Sequence, residues 1–455
     1  MEKVVEIGGR RELLVDDYLV ARMDGVALTL HLPTPREVAI VHDQPWEGNT
    51  SYYHTVFWDE DRFKVYYRGA HVDEQDGTAH HQMVCYAESR DGLTWEKPAL
   101  DIVEFNGSRR NNIVWDGIGA HTFVPFRDGN PACTPDARYK AVAAQKKALY
   151  AFKSADGLHW SLMQEEPIIT EGAFDSQNLA FWDPLRNCYV DFHRHFQLVD
   201  GERVRDIMTC TSTDFLHWTK PVFIHYPGAP VEHLYTNQIR PYYRAPHLYL
   251  GFPKRFVPRR QTTHDRHTGI SDILLMSSRD GLHFKRWGEA WLRPGPQQER
   301  WVNRNNFVAW GILETAATVA GVPNELSFYS MEGYYRGDSC QLRRYTLRLD
   351  GFVSARAPLA GGELVTKPLR FSGQHLQINA ATSAAGSVRV ELQDAQGHPL
   401  PGFTLADADE FFGDEVAHTD TWQGRSDVSS LTGTPVRLRF VLADADLYAL
   451  QTVLP

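Results

Sequence analysis

The stretch Ser89-Arg-Asp-Gly-Leu-Thr-Trp95 decides the fold, because close copies of it recur along the chain. The copies are Ser154-Ala-Asp-Gly-Leu-His-Trp160, Ser212-Thr-Asp-Phe-Leu-His-Trp218 and Ser278-Arg-Asp-Gly-Leu-His-Phe284, with a shorter fifth copy in Arg348-Leu-Asp-Gly-Phe352. Their aspartates stand at positions 91, 156, 214, 280 and 350, so that successive steps are 65, 58, 66 and 70 residues. A repeat of nearly constant period is evidence for a repeated structural unit.

Each copy is predicted to form a tight turn between two outer strands of a sheet. Glycine accepts a positive φ, and the aspartate side chain bonds nearby backbone. Short aromatic strand pairs precede the turns, for example 55–58 with 63–67. A unit of this length with about four short strands is typical of a propeller blade. The sequence therefore predicts a five-bladed β-propeller over about residues 30–355, and unrelated turns in a generic β protein are the alternative.

The repeat ends after Asp350, and the character of the chain changes there. Residues 358–363 have the composition of a linker, while 376–379, 387–392 and 436–442 alternate apolar and polar residues as half-buried antiparallel strands do. We therefore predict an all-β chain with a five-bladed β-propeller over 1–355 and a C-terminal β-sandwich over 360–455. The opening strands, around 12–20, are expected to pack at the propeller edge or to close its last blade.

Charge and composition argue against several functional classes. The formal net charge is −10 and no basic run is longer than Pro258-Arg-Arg260, so nucleic-acid binding is not expected. No stretch approaches the roughly 20 apolar residues that span a bilayer, so no membrane partner is expected. The five cysteines include no Cys-x-x-Cys pair of the kind used for zinc binding or redox chemistry, so they are expected to be reduced and mostly structural. The N-terminus lacks the apolar core of a signal peptide, which predicts a cytoplasmic protein, with export left open if a signal was removed.

The repeat also aligns the innermost strands, whose first positions converge on the axis of a propeller. These positions are polar in all five units: His54, His121, Asn178, Gln238 and Asn306. Polar groups that meet inside a protein are costly unless water, an ion or a ligand satisfies them. They are predicted to form either a solvated plug or a direct ligand contact.

Carboxylates precede four of these strands. They are Glu47, Asp116, Asp175 and Glu232, while the fifth unit offers Asn303 and Arg304. Asp116 stands before glycines and is also a candidate turn residue. Aromatic residues flank the acids, among them Trp46, Tyr53 and Tyr235. A funnel with acids and aromatic faces is what a glycosidase requires, because one acid protonates the leaving oxygen and another carboxylate attacks or activates water.

This arrangement resembles glycoside hydrolase families 32 and 43, the invertase-like and arabinanase-like propellers. The resemblance rests on five units, an appended sandwich, and acids before the first, third and fourth inner strands. It implies that Glu47 is nucleophile or base, that Asp175 orients the substrate or tunes a pKa, and that Glu232 is the general acid. The chain departs from those families at Glu47, where they carry aspartate, so the retaining or inverting outcome stays open.

The sequence thus predicts a glycosidase that is exo-acting on a small or terminal glycosyl unit of a carbohydrate. Substrate contacts are expected from Trp46, Tyr53, His54, Asp116, His121, Asn178, Gln238, Arg240 and Asn306. No cofactor is required, although the resemblance allows a central divalent cation such as calcium, held through water by His54 or His121. Two alternatives stay open: a glycan phosphorylase whose phosphate pocket uses His233, Arg240 and Arg304, and a non-catalytic carbohydrate-binding propeller.

Overall fold

The computed structural model describes residues 3–73, 77–262 and 268–454, and these residues form β-strands joined by turns. Within them there is no α-helix, and the 3-10 helices Ala120–Thr122, Pro135–Ala137, Gln298–Arg300 and Ser429–Leu431 have three residues each. None of the helices in these ranges could cross a membrane. The predicted all-β class is confirmed.

The N-terminal strands are β1 (Val5–Gly8), β2 (Glu12–Leu13), β3 (Val20–Asp24), β4 (Ala27–Leu30) and β5 (Thr34–Val41). The first sheet of the repeat follows them, with β6 (Tyr52–Asp59), β7 (Arg62–Gly69), β10 (Met83–Ser89) and β11 (Ile113–Trp115) in spatial order. Between β7 and β10 the chain forms a two-stranded ribbon of β8 (Val72–Asp73) and β9 (Gly77–Thr78).

Two further antiparallel sheets keep chain order from the innermost strand outward. The second contains β12 (Val124–Arg127), β13 (Tyr139–Gln145), β14 (Ala148–Ser154) and β15 (Ser161–Leu162). The third contains β16 (Leu179–Asp183), β17 (Cys188–Val199), β18 (Glu202–Ser212) and β19 (Val222–Phe223). Each strand therefore pairs with its sequence neighbour, as in a β-meander.

The fourth and fifth sheets depart from this simple order. The fourth sheet contains β21 (Arg240–Tyr242), β22 (Ala245–Gly251), β25 (Met276–Ser278) and β26 (Lys285–Arg286). A separate three-stranded sheet beside it in the sequence contains β20 (His233–Leu234), β23 (Lys254–Val257) and β24 (Ile270–Ile273). The fifth contains β27 (Phe307–Val308), β29 (Glu325–Glu332) and β30 (Gln341–Arg348), with β28 (Leu313–Thr315) beside β29. Its outermost strand is β5, from the N-terminal part of the chain.

The innermost strands of the five sheets surround one axis. A cavity of about 320 Å³ is lined by Thr55, Phe126, Phe181, Arg240 and Trp310, one residue from each sheet or its extension. Thr55 and Trp310 form a parallel bridge, which joins the first sheet to the fifth. The sheets are therefore arranged in a ring.

The repeated motif forms the turn after the third strand of the first four sheets. In the first copy, Ser89 Oγ accepts a hydrogen bond from Gly92 N at 2.8 Å. Asp91 Oδ1 accepts hydrogen bonds from Leu93 N and Thr94 N, each at 2.8 Å. The same pattern recurs around Asp156, Asp214 and Asp280. These bonds explain why serine and aspartate recur at fixed positions.

The third copy carries Phe215 where the other three carry glycine, yet its φ is +72°. The ring is fully buried, with centroids 5.6 Å from Phe126 and 5.1 Å from Tyr189. We expect Phe215→Gly to lower the free energy of unfolding by about 2 kcal/mol, because losing a buried phenylalanine costs more than the relieved left-handed strain returns. Denaturant titration checks this, and a variant as stable as the parent would contradict it.

The fifth copy of the motif differs from the others in structure. Asp350 is fully buried, and its carboxylate accepts hydrogen bonds from Tyr242 Oη at 2.8 Å, Arg244 Nε at 2.9 Å and Arg11 Nη1 at 3.1 Å. The reason lies in the topology: β30 is followed in the sheet by β5, so the chain after Asp350 leaves the sheet. Asp350 is a charged anchor there and not a surface turn residue.

The last sheet has ten strands and draws on both ends of the chain. Strands β1 to β4 pair with β31 (Val353–Ala357), β32 (Gly362–Thr366), β33 (Leu369–Phe371) and β36 (Val436–Val453), and β34 (His375–Asp394) and β35 (Asp414–Thr419) complete the sheet. The N-terminal strands are thus divided, because β5 completes the fifth sheet of the ring. This pairing differs from the predicted boundary, which placed all N-terminal strands with the propeller.

Candidate functional site

Residues that precede the innermost strands meet at one end of the axis, which we call the mouth. Tyr53 Oη lies 2.8 Å from Tyr235 Oη, and the Tyr235 hydroxyl donates to the main-chain oxygen of Asp175 at 3.0 Å. The Tyr53 ring also lies against His121, with centroids 5.8 Å apart. On the fifth sheet, the main-chain oxygen of Arg304 accepts a hydrogen bond from the Tyr52 hydroxyl at 3.0 Å. All five sheets therefore contribute to the mouth.

Five residues around the mouth have a left-handed backbone although they are not glycine. The φ angles are +55° at Tyr53, +45° at Gln238, +69° at Arg304, +56° at Asn306 and +62° at Tyr335. Each such residue costs about 1–3 kcal/mol, and the surrounding structure must hold it in place. Strain of this kind is found where a protein fixes side chains for binding or chemistry.

Asp175 is the acid that the mouth presents to solvent. Its side chain is 76% exposed, and one carboxylate oxygen binds the guanidinium group of Arg194, which is 3% exposed. The preceding Phe174 is buried against His193 and fixes the loop, with ring centroids 5.1 Å apart. The carboxylate of Asp175 is therefore both oriented and accessible.

Four cations surround this acid and its tyrosines, and we call them the cationic cluster: Arg68, Arg194, Lys254 and Arg304. The Arg68 guanidinium lies 5.1 Å from the centre of the Tyr53 ring, and that of Arg194 lies 5.0 Å from the Tyr235 ring. Lys254 Nζ donates to Tyr52 Oη at 2.9 Å and lies 5.6 Å from the Tyr235 ring. The cluster thus encloses the tyrosines on several sides.

The cluster strongly affects its titratable members. Burial lowers the pKa of His121 to about 3, and the charges of Arg68 and Arg304 add to this effect. Burial likewise holds the pKa of Lys254 well below its usual value, and the charge of Arg304 lowers it further. Among the described residues, no carboxylate forms an ion pair with Arg68, Lys254 or Arg304. The mouth therefore has a surplus of positive charge.

Glu47 lies away from the mouth in a closed network. It is 2% exposed, one oxygen accepts from the Tyr67 hydroxyl, and the other accepts from Lys97 Nζ at 2.6 Å and from Gln44 N at 3.1 Å. Burial raises the pKa of Glu47, but His42 and Lys97 outweigh burial and hold it at about 2. The carboxylate is charged and satisfied internally, whereas the sequence predicted a nucleophile or base here.

Glu232 is also engaged by cations. Its Oε1 accepts from Arg255 Nη1 at 3.0 Å, and its Oε2 lies 3.0 Å from Arg286 Nη2. It lines a shallow depression with His233 and Arg259, while neighbouring residues Tyr235 and Lys254 face the mouth. The structure therefore does not bring Glu47, Asp175 and Glu232 together as one exposed group.

The predicted substrate contacts Trp46 and Asp116 lie outside the mouth. Trp46 Nε1 donates to Asn112 Oδ1 at 2.6 Å, and its ring packs against Phe105. Asp116 is exposed and lies 3.8 Å from His81 Nε2. Asp116 directly precedes the turn at residues 117–119, as the sequence allowed.

Gln177, and not the predicted Asn178, makes the polar connection from the third sheet across the axis. Gln177 Nε2 donates to Thr55 Oγ1 at 3.1 Å and to the main-chain oxygen of His54 at 3.0 Å, while Gln238 Nε2 donates to Gln177 Oε1 at 2.6 Å. Asn178 donates instead to its own loop, at the main-chain oxygens of residues 174 and 176. The axis beneath the mouth is thus crossed by hydrogen bonds.

The remaining predicted contacts are structural or lie elsewhere. Asn306 bonds main-chain oxygens of Ser271 and Arg300, and His54 is fully buried with its Nε2 2.9 Å from His42 Nε2. Arg240 lines the axial cavity and a wider depression of about 730 Å³ at the opposite end, with Trp58 and Tyr243. Of the predicted set, the mouth brings together Tyr53, His121 and Asp175.

His54 and His121 were the histidines expected to hold a central cation, and their surroundings show which nitrogen atoms are available to it. His121 lies beside Arg68, with their nitrogens 3.2 Å apart, and a divalent cation there would meet a guanidinium group. Elsewhere Asp191, His193 and Cys210 are buried close enough to share an ion. Both ring nitrogens of His193 are already engaged, by Asp191 and by the main-chain oxygen of Glu171 at 3.0 Å. His54, the other predicted histidine, is fully buried, and its Nδ1 has no hydrogen-bond partner among the described residues.

Sequence reasoning missed Arg194, Lys254 and Gln177. The sequence position of the two cations could have indicated them. The second strand of each sheet runs antiparallel to the first, so its end returns to the mouth. Arg68 pairs with Tyr52 in this way, and Lys254 N donates to the main-chain oxygen of Thr236 just before β21. Basic residues near the end of a second strand could therefore have been aligned in the same manner as the acids.

No protein-family model matches this sequence, and no curated protein is similar to it. Several solved structures resemble it at low identity. A glycoside hydrolase family 43 arabinoxylan arabinofuranohydrolase from Bacillus subtilis, in complex with cellotetraose, has 11% identity, covers 89% of this chain and 96% of its own, and gives a TM-score of 0.44. An α-L-arabinofuranosidase from Podospora anserina, in complex with cellotriose, has 10% identity, 70% and 96% coverage and a TM-score of 0.43.

An N-acetylgalactosamine deacetylase from F. plautii, in complex with blood group B trisaccharide, has 12% identity, covers 70% of this chain and 94% of its own, and gives a TM-score of 0.45. These similarities concern the fold alone.

Proposed function

We propose that the five sheets are the blades of a five-bladed β-propeller, that the ten-stranded sheet is an accessory β-sandwich, and that the mouth is the active site of a glycosidase. The observation that carries the functional part is the oriented, exposed carboxylate of Asp175 among strained aromatic residues. Tyr53, Tyr235 and Asp175 are fixed by mutual hydrogen bonds, and Tyr53 has a left-handed backbone. Aromatic faces beside an accessible acid suit a sugar ring and its glycosidic oxygen.

The closed axis supports exo-action on a terminal glycosyl unit. Gln177 and Gln238 bond across the axis directly beneath the mouth, so a glycan chain has no passage through the ring at that level. A mouth with a floor accepts the end of a chain, whereas an open groove would accept its interior.

The placement of the acids suggests how their roles are divided. Asp175 acts as the proton-accepting carboxylate beside the glycosidic bond, since it is the accessible acid held at the mouth and Arg194 pairs with its charged form. Glu47 and Glu232 stabilise the loops before the first and fourth inner strands through Lys97, Arg255 and Arg286. This division revises the roles that the family resemblance implied for all three acids, including Asp175, which was expected to orient the substrate or tune a pKa.

Product analysis tests the proposal. Oligosaccharides of defined length, offered as a panel that varies the terminal sugar and linkage, should be shortened by one unit at a time. We expect a single released unit, or a single glycosyl phosphate if phosphate is consumed, from the first minutes of the reaction. An early spread of intermediate lengths would contradict exo-action, and no cleavage across the panel would contradict glycosidase activity.

A further inference from the structure

We propose that the mouth binds an oxyanion, a carboxylate or sulfate carried by the sugar or a free phosphate, through Lys254, Arg304 and Arg68. This rests on the proposed function only in placing the sugar at the mouth. The family resemblance predicts acids around the axis, and the phosphorylase alternative placed a phosphate pocket at His233, Arg240 and Arg304. Of these three residues, Arg304 alone belongs to the cationic cluster. The basis of the inference is the unbalanced charge of the cationic cluster.

The charge balance at the mouth is the first observation. Arg68 and Lys254 are 5% and 1% exposed, and Arg304 lies near enough to lower the pKa of Lys254 and of His121. In the described part of the chain, the acid that pairs with the cluster is Asp175, through Arg194. Buried charges without counter-ions are costly, so a cluster of this kind is stabilised when an anion occupies it.

Unused hydrogen-bond donors are the second observation, and it is independent of charge. Arg68 Nε and Arg194 Nε are buried and have no hydrogen-bond partner within the described residues. Lys254 Nζ carries three donors when protonated and has one acceptor, Tyr52 Oη. Buried polar atoms normally have partners, and donors converging on a solvent-accessible mouth are therefore available to a ligand.

The kind of donor indicates the kind of ligand. Guanidinium groups present paired N–H bonds that match the oxygens of carboxylate, sulfate or phosphate. The hydroxyls of Tyr53 and Tyr235 already donate to the main-chain oxygen of Asp175, and the Tyr334 hydroxyl accepts from Arg68 Nη2 at 3.1 Å, so the charged groups of the cluster are the donors that remain for a ligand. Neutral sugars would leave the excess charge unbalanced, so the mouth favours an anionic group.

Binding experiments with simple anions test the inference. The probes are sulfate, inorganic phosphate and glucuronate, with glucose as the neutral comparison, titrated calorimetrically into the full chain at low ionic strength. Lys254→Met should weaken anion binding at least about thirtyfold, since truncating one partner of a buried charge pair has effects of this size. Arg304→Gln should weaken it less, because Arg304 is exposed and solvent screens its charge. Arg68 is left unchanged because it also holds Thr50 and Tyr334.

Arg259→Gln is the matched control, because Arg259 is 86% exposed and pairs with Glu202 at the surface. It should leave the affinity for every anion unchanged. Three outcomes would each overturn the inference. Glucose could bind as tightly as glucuronate, no anion could bind at all, or anion binding could persist in both mouth variants. Thermal unfolding of every variant separates lost binding from lost folding.

The pH dependence of sulfate binding provides a second readout. Sulfate does not titrate near neutrality, and Lys254 is faced by the Tyr52 hydroxyl, the Tyr235 ring and the Arg304 charge. Because the pKa of Lys254 is depressed in the free protein and an anion favours its charged form, affinity should rise as the pH falls. Lys254→Met should remove this dependence, and an unchanged pH profile in that variant would count against the role of Lys254.

Turnover distinguishes the two sources of the anion. A neutral glycan cleaved only with inorganic phosphate would place free phosphate at the site: a phosphate oxygen bonds to the anomeric carbon, the glycosidic C–O bond breaks, and the leaving oxygen takes a proton. Cleavage of a uronate-containing or sulfated glycan without phosphate would place the anion on the substrate. A protein that binds anions at the mouth but cleaves no glycan would refute the proposed function alone.

Discussion

Asp175→Asn should lower turnover about a thousandfold and lower the melting temperature modestly, because the buried Arg194 loses its carboxylate partner. A group that transfers a proton at the reacting bond contributes about 10²–10⁴ to the rate, and asparagine preserves the shape but cannot accept the proton. The side chain is 76% exposed, so its replacement removes little buried surface. Initial rates on the best substrate, with thermal unfolding of the same samples, measure both effects.

Asp116→Asn is the matched control for that experiment. Asp116 is an exposed acid before the second inner strand, and its neighbour is His81 at 3.8 Å rather than a residue of the mouth. It should retain nearly full activity. If Asp175→Asn stays nearly as active as the parent, Asp175 is not the proton-transferring group, and equal losses in both variants would point to a general effect of surface charge.

Glu47→Gln should instead lower the free energy of unfolding, by about 3 kcal/mol at neutral pH. The carboxylate is enclosed by Lys97, Tyr67 and the backbone of Gln44, so the amide leaves the Lys97 charge without its partner. Denaturant titration of parent and variant measures the difference. Glu232→Gln is a useful comparison, because the Glu232 side chain is 24% exposed and solvent screens the loss of its arginine pairs.

The pH dependence of this effect has a definite sign. The pKa of Glu47 is about 2 in the folded protein against an ordinary value of 4.5, so the charged form is stabilised by folding. Its contribution is fully present above pH 4.5 and is lost as the pH falls toward 2. The stability gap between parent and Glu47→Gln should therefore shrink on acidification, and a gap that is constant between pH 7 and pH 3 would contradict this account.

The ring of sheets could be predicted because local chemistry repeats with it. Serine and aspartate in each motif satisfy the backbone of their own turn, so their spacing records the spacing of the sheets. The exception is Asp350, whose neighbours Tyr242, Arg244 and Arg11 come from distant parts of the chain. Likewise, the pairing of β1 to β4 with C-terminal strands depends on contacts between sequence-distant segments, which no local pattern records.

The site was harder to predict because burial, and not residue type, decides what an acid does. Glu47 and Asp175 occupy comparable places before inner strands, yet Lys97 closes over one while the other remains exposed. Alignment by the repeat led to Tyr53, His121 and Asp175, which lie next to one another in the structure. It was silent on Arg194 and Lys254, since these lie on second strands that the turn motif does not align.

The pairing of β5 with β30 also sets the order in which the molecule can be completed during synthesis. Thr34–Val41 emerges from the ribosome about 300 residues before its partner, Gln341–Arg348. Until then, β5 and the growing array of sheets each present an unpaired strand edge, which is a template for pairing between chains. Closure of the ring is thus a late event, and nascent chains stalled before residue 341 should depend on chaperones far more than the finished protein does.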